Sequence, residues 1–437
     1  MSPGPDRKPD ARVAASVAGV EDETSAELRS SYRRAFAASA LGWALDGFDF
    51  TMFAFALPAI LTSLGISVAV GGTVTTLALM ASALGGVVGG VLADRFGRVR
   101  VLIWVIFAFA LFTGLTATAQ NLAQLTLWHT LEGFAFGAEW PVGAALLAEY
   151  ARSEHRGRSM AWLQSAYSFG WALSTLCYYL LFGALPGDVA WRALFLVGIV
   201  PALVALVIRR TVRDRVVATY GSRRGPRLRR IFAGRLRRTT IISTLLLVGG
   251  QGAYYTVFGF LPLYLRDDRH LSIASTATYL WVVIVGGFLG YVSSGYLHDL
   301  LGRRPTFTLY YLGIAVAVLL FVLAPIGTAA GGYAVVFMLG FTLSGSAGGL
   351  GAFLAELFPT ELRGSGVGFA YNVGRGIGAL GPLAVGAAAH ALALGGAILT
   401  VTLVVDGIAL VAVWCLPETR GKVILSASVP SRPPSSA

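Results

Sequence analysis

Apolar residues in this chain come in long unbroken runs, without the alternating or three-to-four-residue pattern of a half-buried element, and polar residues gather between the runs. Runs of this kind, each long enough to cross a hydrocarbon layer of roughly 30 Å, predict membrane-spanning helices. They fall at 35–62, 70–93, 99–119, 122–150, 159–184 and 192–208, and again at 240–265, 274–298, 306–326, 332–357, 365–392 and 395–416. The polar interruptions repeat as well. Gly90 to Arg100 reads GVLADRFGRVR and Gly295 to Pro305 reads GYLHDLLGRRP, so Asp94 matches Asp299 and Gly97 matches Gly302 at an offset of 205 residues. Ala148 to Gly157, AEYARSEHRG, is echoed by Ala355 to Gly364, AELFPTELRG, at an offset of 207. A hydrophilic signature that recurs at nearly half the chain length marks two copies of one membrane unit.

These doubled loops resemble those of the major facilitator superfamily of secondary transporters, between helices two and three and between helices eight and nine. The resemblance runs from about Phe36 to Lys422. It implies an all-α integral membrane fold of twelve helices in two pseudosymmetric six-helix bundles. The chain then divides into a disordered tail (1–32), a first bundle (33–209), an Arg-rich linker (210–238), a second bundle (239–417) and a second disordered tail (418–437). From Arg209 to Arg238 the chain carries 12 arginines and no apolar run, which suits a solvated tether near anionic headgroups.

Composition agrees. Hydrophobic residues make up 56% and charged residues 13%, where soluble domains carry about 25% charge. The 54 glycines suit helices that approach closely without a hydrophobic force between them. The net charge of +12 would suit a nucleic-acid binder if the basic residues clustered on one domain. Instead, with the N-terminus in the cytoplasm, 30 of the 34 lie in tails and cytoplasmic loops, three in outer loops (Arg192, Arg266, Arg269), and Arg375 alone inside a span. That asymmetry orients the chain with both termini cytoplasmic, in an inner membrane.

Cys177 and Cys415 both sit in apolar runs, so neither a disulfide framework nor a metal site is implied. The only lysines, Lys8 and Lys422, precede Pro9 and Val423, which excludes a phosphate-binding loop. No enzymatic motif is present and no cofactor is expected. Transport driven by a gradient remains, by a protein read as a monomer.

Ionisable side chains at membrane depth are costly and mark pathways by default. Asp46 and Asp49, in LGWALDGFDF, share a helix face with Phe53. Two carboxylates so close cannot both ionise cheaply in a poorly solvated cavity, so at least one is expected to hold a proton; alternatively one of them binds a backbone group or an arginine. The pattern resembles helix one of the aromatic acid:proton symporters, and its surroundings those of the sialate and lactate symporters. Helix four reads HTLEGFAFGAEWPVG, with Glu132 one turn from His129 and Glu139 two turns further. It is similar to the metabolite:proton symporters, which place an arginine where this chain has His129. His129 either joins the proton path or ends the helix in water.

Arg375, in GFAYNVGRGIG, needs an anionic partner, either Glu139 or a substrate carboxylate, and Asn372 shares its face. Gln164 and Tyr167 on helix five and Gln251, Tyr254 and Tyr255 on helix seven are further lining candidates. Asp406 has no assigned role.

The signature loops, Gly90, Asp94, Gly97 and Arg98 with Asp299, Gly302 and Arg303, are implied by the resemblance to form a cytoplasmic latch. Glu149 with Arg156, and Glu356 with Arg363, would complete it; charge at these junctions as a topology signal alone is the other reading. The sequence thus predicts a proton-coupled importer of a small organic anion, a monocarboxylate, with Asp46, Asp49, His129 and Glu132 in coupling and Arg375, Asn372, Glu139, Gln164, Tyr167, Gln251, Tyr254 and Tyr255 at the substrate. A sugar or neutral-metabolite transporter, an uncoupled facilitator and a non-transporting sensor of the same fold are the alternatives.

Overall fold

Gly97 and Gly302 turn the chain at matching places in its two halves. Their φ angles are 90° and 100°, a region closed to side-chain-bearing residues without strain. Each glycine closes the helix before it, its N–H donating to Ala93 O (3.0 Å) or His298 O (3.2 Å), and opens the next helix one residue later. The repeated signature is therefore a repeated helix corner.

The structure, a computed structural model, describes residues 11–137, 156–210, 228–324, 329–359 and 362–420, though not every side chain within them, those of 11–35, Asp94, Arg98 and Arg156 among the exceptions. The first half contains α1 (Ala11–Leu64), α2 (Val68–Phe96), α3 (Arg98–Ala117), α4 (Leu122–Gly137), α5 (Arg156–Ala184) and α6 (Gly187–Arg210). The second contains α7 (Arg235–Leu263), α8 (Ile273–Leu301), α9 (Arg303–Leu323), α10 (Ala329–Gly348, resumed over Leu350–Leu357), α11 (Arg363–Gly378) and α12 (Leu380–Cys415). A four-residue helix, Leu228–Ile231, precedes α7. At Ala393 (φ 56°, ψ 168°) the backbone leaves the helix and divides α12, close to the break expected between 392 and 395. Among the described residues eight helical stretches are long and apolar enough to cross a membrane, and one of these, Arg363–Cys415, carries two of the expected spans.

The two bundles pack alike. α1 meets α5 and α2 meets α4, as α7 meets α11 and α8 meets α10. At these crossings glycine lets backbones touch: Gly47 lies against Tyr167 O, Gly133 against Ala78 O, Gly290 against Phe341 O and Gly374 against Leu247. The outer-loop arginines cap helix ends. Arg192 Nη1 donates to Ala117 O (2.8 Å) and Ala119 O (2.6 Å), and Arg269 Nη2 to Phe321 O (3.1 Å) and Val322 O (2.9 Å), so each cation meets the negative end of a helix.

Two boundaries differ from expectation. Helical backbone starts at Ala11, inside the stretch expected to be a disordered tail, since an alanine-rich segment without proline between Pro9 and Pro58 does nothing to stop it. After Cys415 the chain stays tied down to Arg420, because Glu418 caps α9: its Oε1 and Oε2 accept the Arg303 and Arg304 N–H groups, each at 2.9 Å.

Between the bundles the fit is uneven. Thr76 Oγ1 donates to Ala379 O (2.8 Å) and accepts from Leu383 N (3.1 Å), and a Cβ on Gly386 would meet Ala69 Cα at 2.9 Å. Thus α2 and the α11–α12 junction are locked at one end. At the other, no described residue comes within 4 Å of a Cβ placed on Gly90, Gly364 or Gly368.

Candidate functional site

Two adjoining cavities lie between the bundles, sharing Phe50 and Phe136 as a common wall. The larger spans about 860 Å³ of atom-free space, part of it continuous with the outside. One stripe of α1 (Trp43, Asp46, Phe50) faces it, with Gln164 and Tyr167 of α5, Gln251, Tyr254 and Tyr255 of α7, Tyr291 of α8, and Tyr371 and Arg375 of α11. The rings form a box: Trp43 and Tyr167 have centroids 5.3 Å apart, Phe50 and Tyr255 5.5 Å, and Tyr167 and Tyr254 6.2 Å. One turn nearer the locked end, Trp171 packs edge-on against Phe258 at 4.6 Å and roofs the box.

Arg375 is 4% exposed, and among the described residues no carboxylate lies within ion-pairing distance of it. Its guanidinium lies 5.0 Å from the Phe136 ring centroid, within hydrogen-bonding reach of Tyr255, and Nε has no partner. Asp46 and Tyr371 contribute to its electrostatic surroundings. A buried planar cation with an unused donor, walled by aromatic faces and tyrosine hydroxyls, can bind a carboxylate through its fork while rings sandwich a flat carbon skeleton.

The smaller cavity, about 450 Å³, is lined by Asp49 and Phe53 of α1, Thr75, Ala78, Leu79 and Ser82 of α2, and His129 of α4. Beside it Glu132 is fully buried and held from three sides. Thr113 Oγ1 donates to Oε1 (2.7 Å), Thr116 Oγ1 to Oε2 (3.1 Å), and His129 Nδ1 stands 3.0 Å from Oε2. The i, i+3 spacings on α3 and α4 put both pairs on facing stripes. The Asp49 carboxyl reaches Glu132 from α1. The His129 ring stacks on Phe53 (4.0 Å, 10° between planes) and meets Phe195 edge-on, so it lies inside the bundle; the alternative of a helix end in water does not hold.

The expected residues are therefore sorted. Asp46, Gln164, Tyr167, Gln251, Tyr254, Tyr255 and Arg375 meet at the larger cavity; Asp49, His129 and Glu132 meet at the smaller. Asp46 and Asp49 thus border different cavities. Asn372 borders neither: its Nδ2 donates to Gly368 O (2.9 Å) and its Oδ1 lies against Gly86 of α2, because the i−3 position points to the bundle interface while the i−4 position, Tyr371, points inward. Glu139 and Glu149, and the side chains of Asp94, Arg98 and Arg156, fall outside the described residues. Trp43, Phe50, Phe136, Tyr291 and Tyr371 were missed. The i, i+4 relation of Tyr371 to Arg375 and of Trp43 to Gly47 and Asp46's stripe was the available signal; for Tyr291, alone in an apolar run, there was none.

At the end that carries the Gly-Arg corners, Arg303 anchors a cluster inside the second bundle. Its Nη2 and Nε grip Glu356 Oε1 (2.6 Å) and Oε2 (3.0 Å), and its Nη1 reaches Asp299 Oδ1 (3.3 Å) and His298 O (2.7 Å). Thr419 Oγ1 also donates to Glu356 Oε2 (2.5 Å), and Arg363 Nε donates to Ala355 O (2.9 Å). Gly90, Gly97 and Gly302 lie at the two corners, and the exposed Asp299 side chain has its ion-pair partner within its own bundle.

Residues 39–382 match the family model of the Major Facilitator Superfamily, and the chain belongs to that family of membrane transporters. It is 39% identical over 395 residues to a probable 4-methylmuconolactone transporter of Cupriavidus pinatubonensis (strain JMP 134 / LMG 1197), covering 90% of this chain and 92% of that one. It is 28% identical to a cis,cis-muconate transport protein of Acinetobacter baylyi (strain ATCC 33305 / BD413 / ADP1), over 82% of this chain and 87% of the other. The niacin transporter NiaP of the same strain is 27% identical, with 88% and 94% covered. Among solved structures, a D-xylose-proton symporter superposes with a TM-score of 0.73 at 20% identity, over 89% of this chain and 99% of that chain, a likeness of fold.

Proposed function

We propose that this transporter imports a small, flat, unsaturated or aromatic monocarboxylate together with a proton, by alternating access across the inner membrane, as a monomer with both termini cytoplasmic. The observation that carries the reading is Arg375, a buried guanidinium in an aromatic box whose Nε has no hydrogen-bond partner. A neutral sugar gives such a cation nothing to neutralise. Relatives named for a muconolactone, for muconate and for niacin support a compact unsaturated skeleton.

The proton site in this reading is the second cavity. Asp49 and Glu132 approach each other in apolar surroundings, where two negative charges are costly, and one shared proton relieves the repulsion. Thr113, Thr116 and His129 hold Glu132 in place for that exchange. In this reading the roof of Trp171 and Phe258 and the Thr76 lock close the outer side. A cytoplasmic latch between the bundles would re-form in the outward-open state, with Arg303 and Glu356 keeping the second corner rigid throughout.

Uptake into proteoliposomes tests the reading. Radiolabelled niacin and gallate, which each carry one carboxylate, are offered against xylose under an inward proton gradient. Accumulation of at least one acid, abolished when the gradient is collapsed, supports it; accumulation of xylose alone overturns it.

A further inference from the structure

The second bundle holds a carboxyl group that the cycle described above does not use. Asp406 lies on α12 with 3% of its surface exposed, and its Oδ1 has no hydrogen-bond partner. Thr402, one turn earlier on the same face, is fully buried with an unpartnered hydroxyl. Tyr311 of α9 is fully buried too; its hydroxyl lies in the field of Asp406 and has no partner. The same hydroxyl stands 3.0 Å from the place a Cβ would take on Gly250 of α7. Around Gly250, α7 presents Gly249 and Gly252 to Val405 and Ala409 of α12. Tyr311 comes to the group from α9 and Thr402 from its own helix, α12. No charged side chain among the described residues acts on it.

Three unsatisfied oxygens at this depth need an explanation, because each buried polar atom without a partner costs free energy and a bare carboxylate costs more. A hard metal cation needs about six oxygen ligands, more than this cluster offers, and neither cavity of the transport site borders it. A proton needs no cavity. It removes the charge, which is the larger part of the cost of burying the group. We propose that Asp406, Thr402 and Tyr311 form a second proton-binding site, separate from Asp49 and Glu132, inside the C-terminal bundle. It stands one helix behind the substrate cavity, since Gln251 and Tyr254 of α7 line that cavity while Gly250 faces Tyr311.

The inference rests on burial within the second bundle and does not require proton-coupled transport. Infrared difference spectra of the protein in lipid, at neutral pH and with isotope-labelled aspartate, read the carbonyl band of a neutral carboxyl group. The expected band is present in the wild type, lost in Asp406→Asn, retained in Asp49→Asn, and shifted in Tyr311→Phe. Superimposable spectra for the wild type and Asp406→Asn overturn the proposal. So does a band that vanishes on adding sodium at constant pH, which would give the site to a metal cation. If Asp406→Asn fails to fold, an unmoved band in both Tyr311→Phe and Thr402→Val is equally fatal. Wild-type protein that moves no protons during uptake would refute symport and leave this band in place, so the two failures are distinguishable.

Discussion

Asp46 and Asp49 stand three residues apart on α1 and border different cavities, Asp46 the one that holds Arg375 and Asp49 the one that holds His129. The separation assigns different work to two residues that look equivalent in sequence. In the proposed function Asp46 acts through Arg375, and Asp49 through the buried Glu132. Phe50, between them, walls both cavities, as Phe136 does.

Substrate affinity should depend on the shape of the cation at 375 as well as on its charge. Arg375→Lys keeps the charge and loses the planar fork and the stacking on Phe136, so carboxylate binding should weaken by roughly 1.5–3 kcal/mol, the scale of a charge-assisted hydrogen bond. Calorimetry on purified protein checks this, and unchanged affinity would mean that the arginine does not touch the substrate.

The corner glycine should be irreplaceable for a local reason. Gly302 combines φ 100° with ψ 178°, a region nearly reserved for glycine, and a Cβ there would press on the Glu418 carboxylate at 3.2 Å. Gly302→Ala is expected to cost about 1–3 kcal/mol, seen as a lower unfolding temperature. Gly90→Ala, which meets no described residue within 4 Å, should leave that temperature unchanged.

Much of the fold is legible in the sequence, because spans and corners are set by local composition: long apolar runs, and a glycine that takes a positive φ at 97 and again at 302. The cavity is only partly legible. A stripe on one helix shows which residues share a face, as Asp46 and Asp49 do, but which neighbour that face meets depends on the packing angle. A small rotation between positions 46 and 49 is enough to place them in different cavities. Asn372 illustrates the same limit, since one step along α11 separates an inward tyrosine from an interface amide. The capping role of Glu418 depends on the end of α12 meeting the start of α9, a contact between positions more than a hundred residues apart.

Stability at low pH should report that cap. Burial acts to raise the Glu418 carboxyl, but four backbone amides, from Arg303, Arg304, Arg420 and Thr419, donate to it and bring it below its ordinary value of 4.5. A carboxyl lowered on folding contributes stability that is fully present above its unfolded value and is lost as pH falls through the folded one. The unfolding temperatures of wild type and Glu418→Gln should therefore differ by a small, salt-sensitive amount at neutral pH, the group being largely exposed, and should converge below about pH 4. A gap that persists in acid would mean that the cap does not depend on the ionised carboxylate.

The most direct measurement of the account compares Asp49→Asn and Asp46→Asn in proteoliposomes, recording substrate counterflow, uphill accumulation and lumenal acidification in the same preparation. If the proton is carried at Asp49 and Glu132 and the substrate is held at Arg375, Asp49→Asn should keep counterflow while losing accumulation and acidification. Asp46→Asn should weaken counterflow through the substrate site and still acidify the lumen in proportion to the uptake that remains. Asp49→Asn that accumulates and acidifies like the wild type would contradict the division of labour between the two cavities.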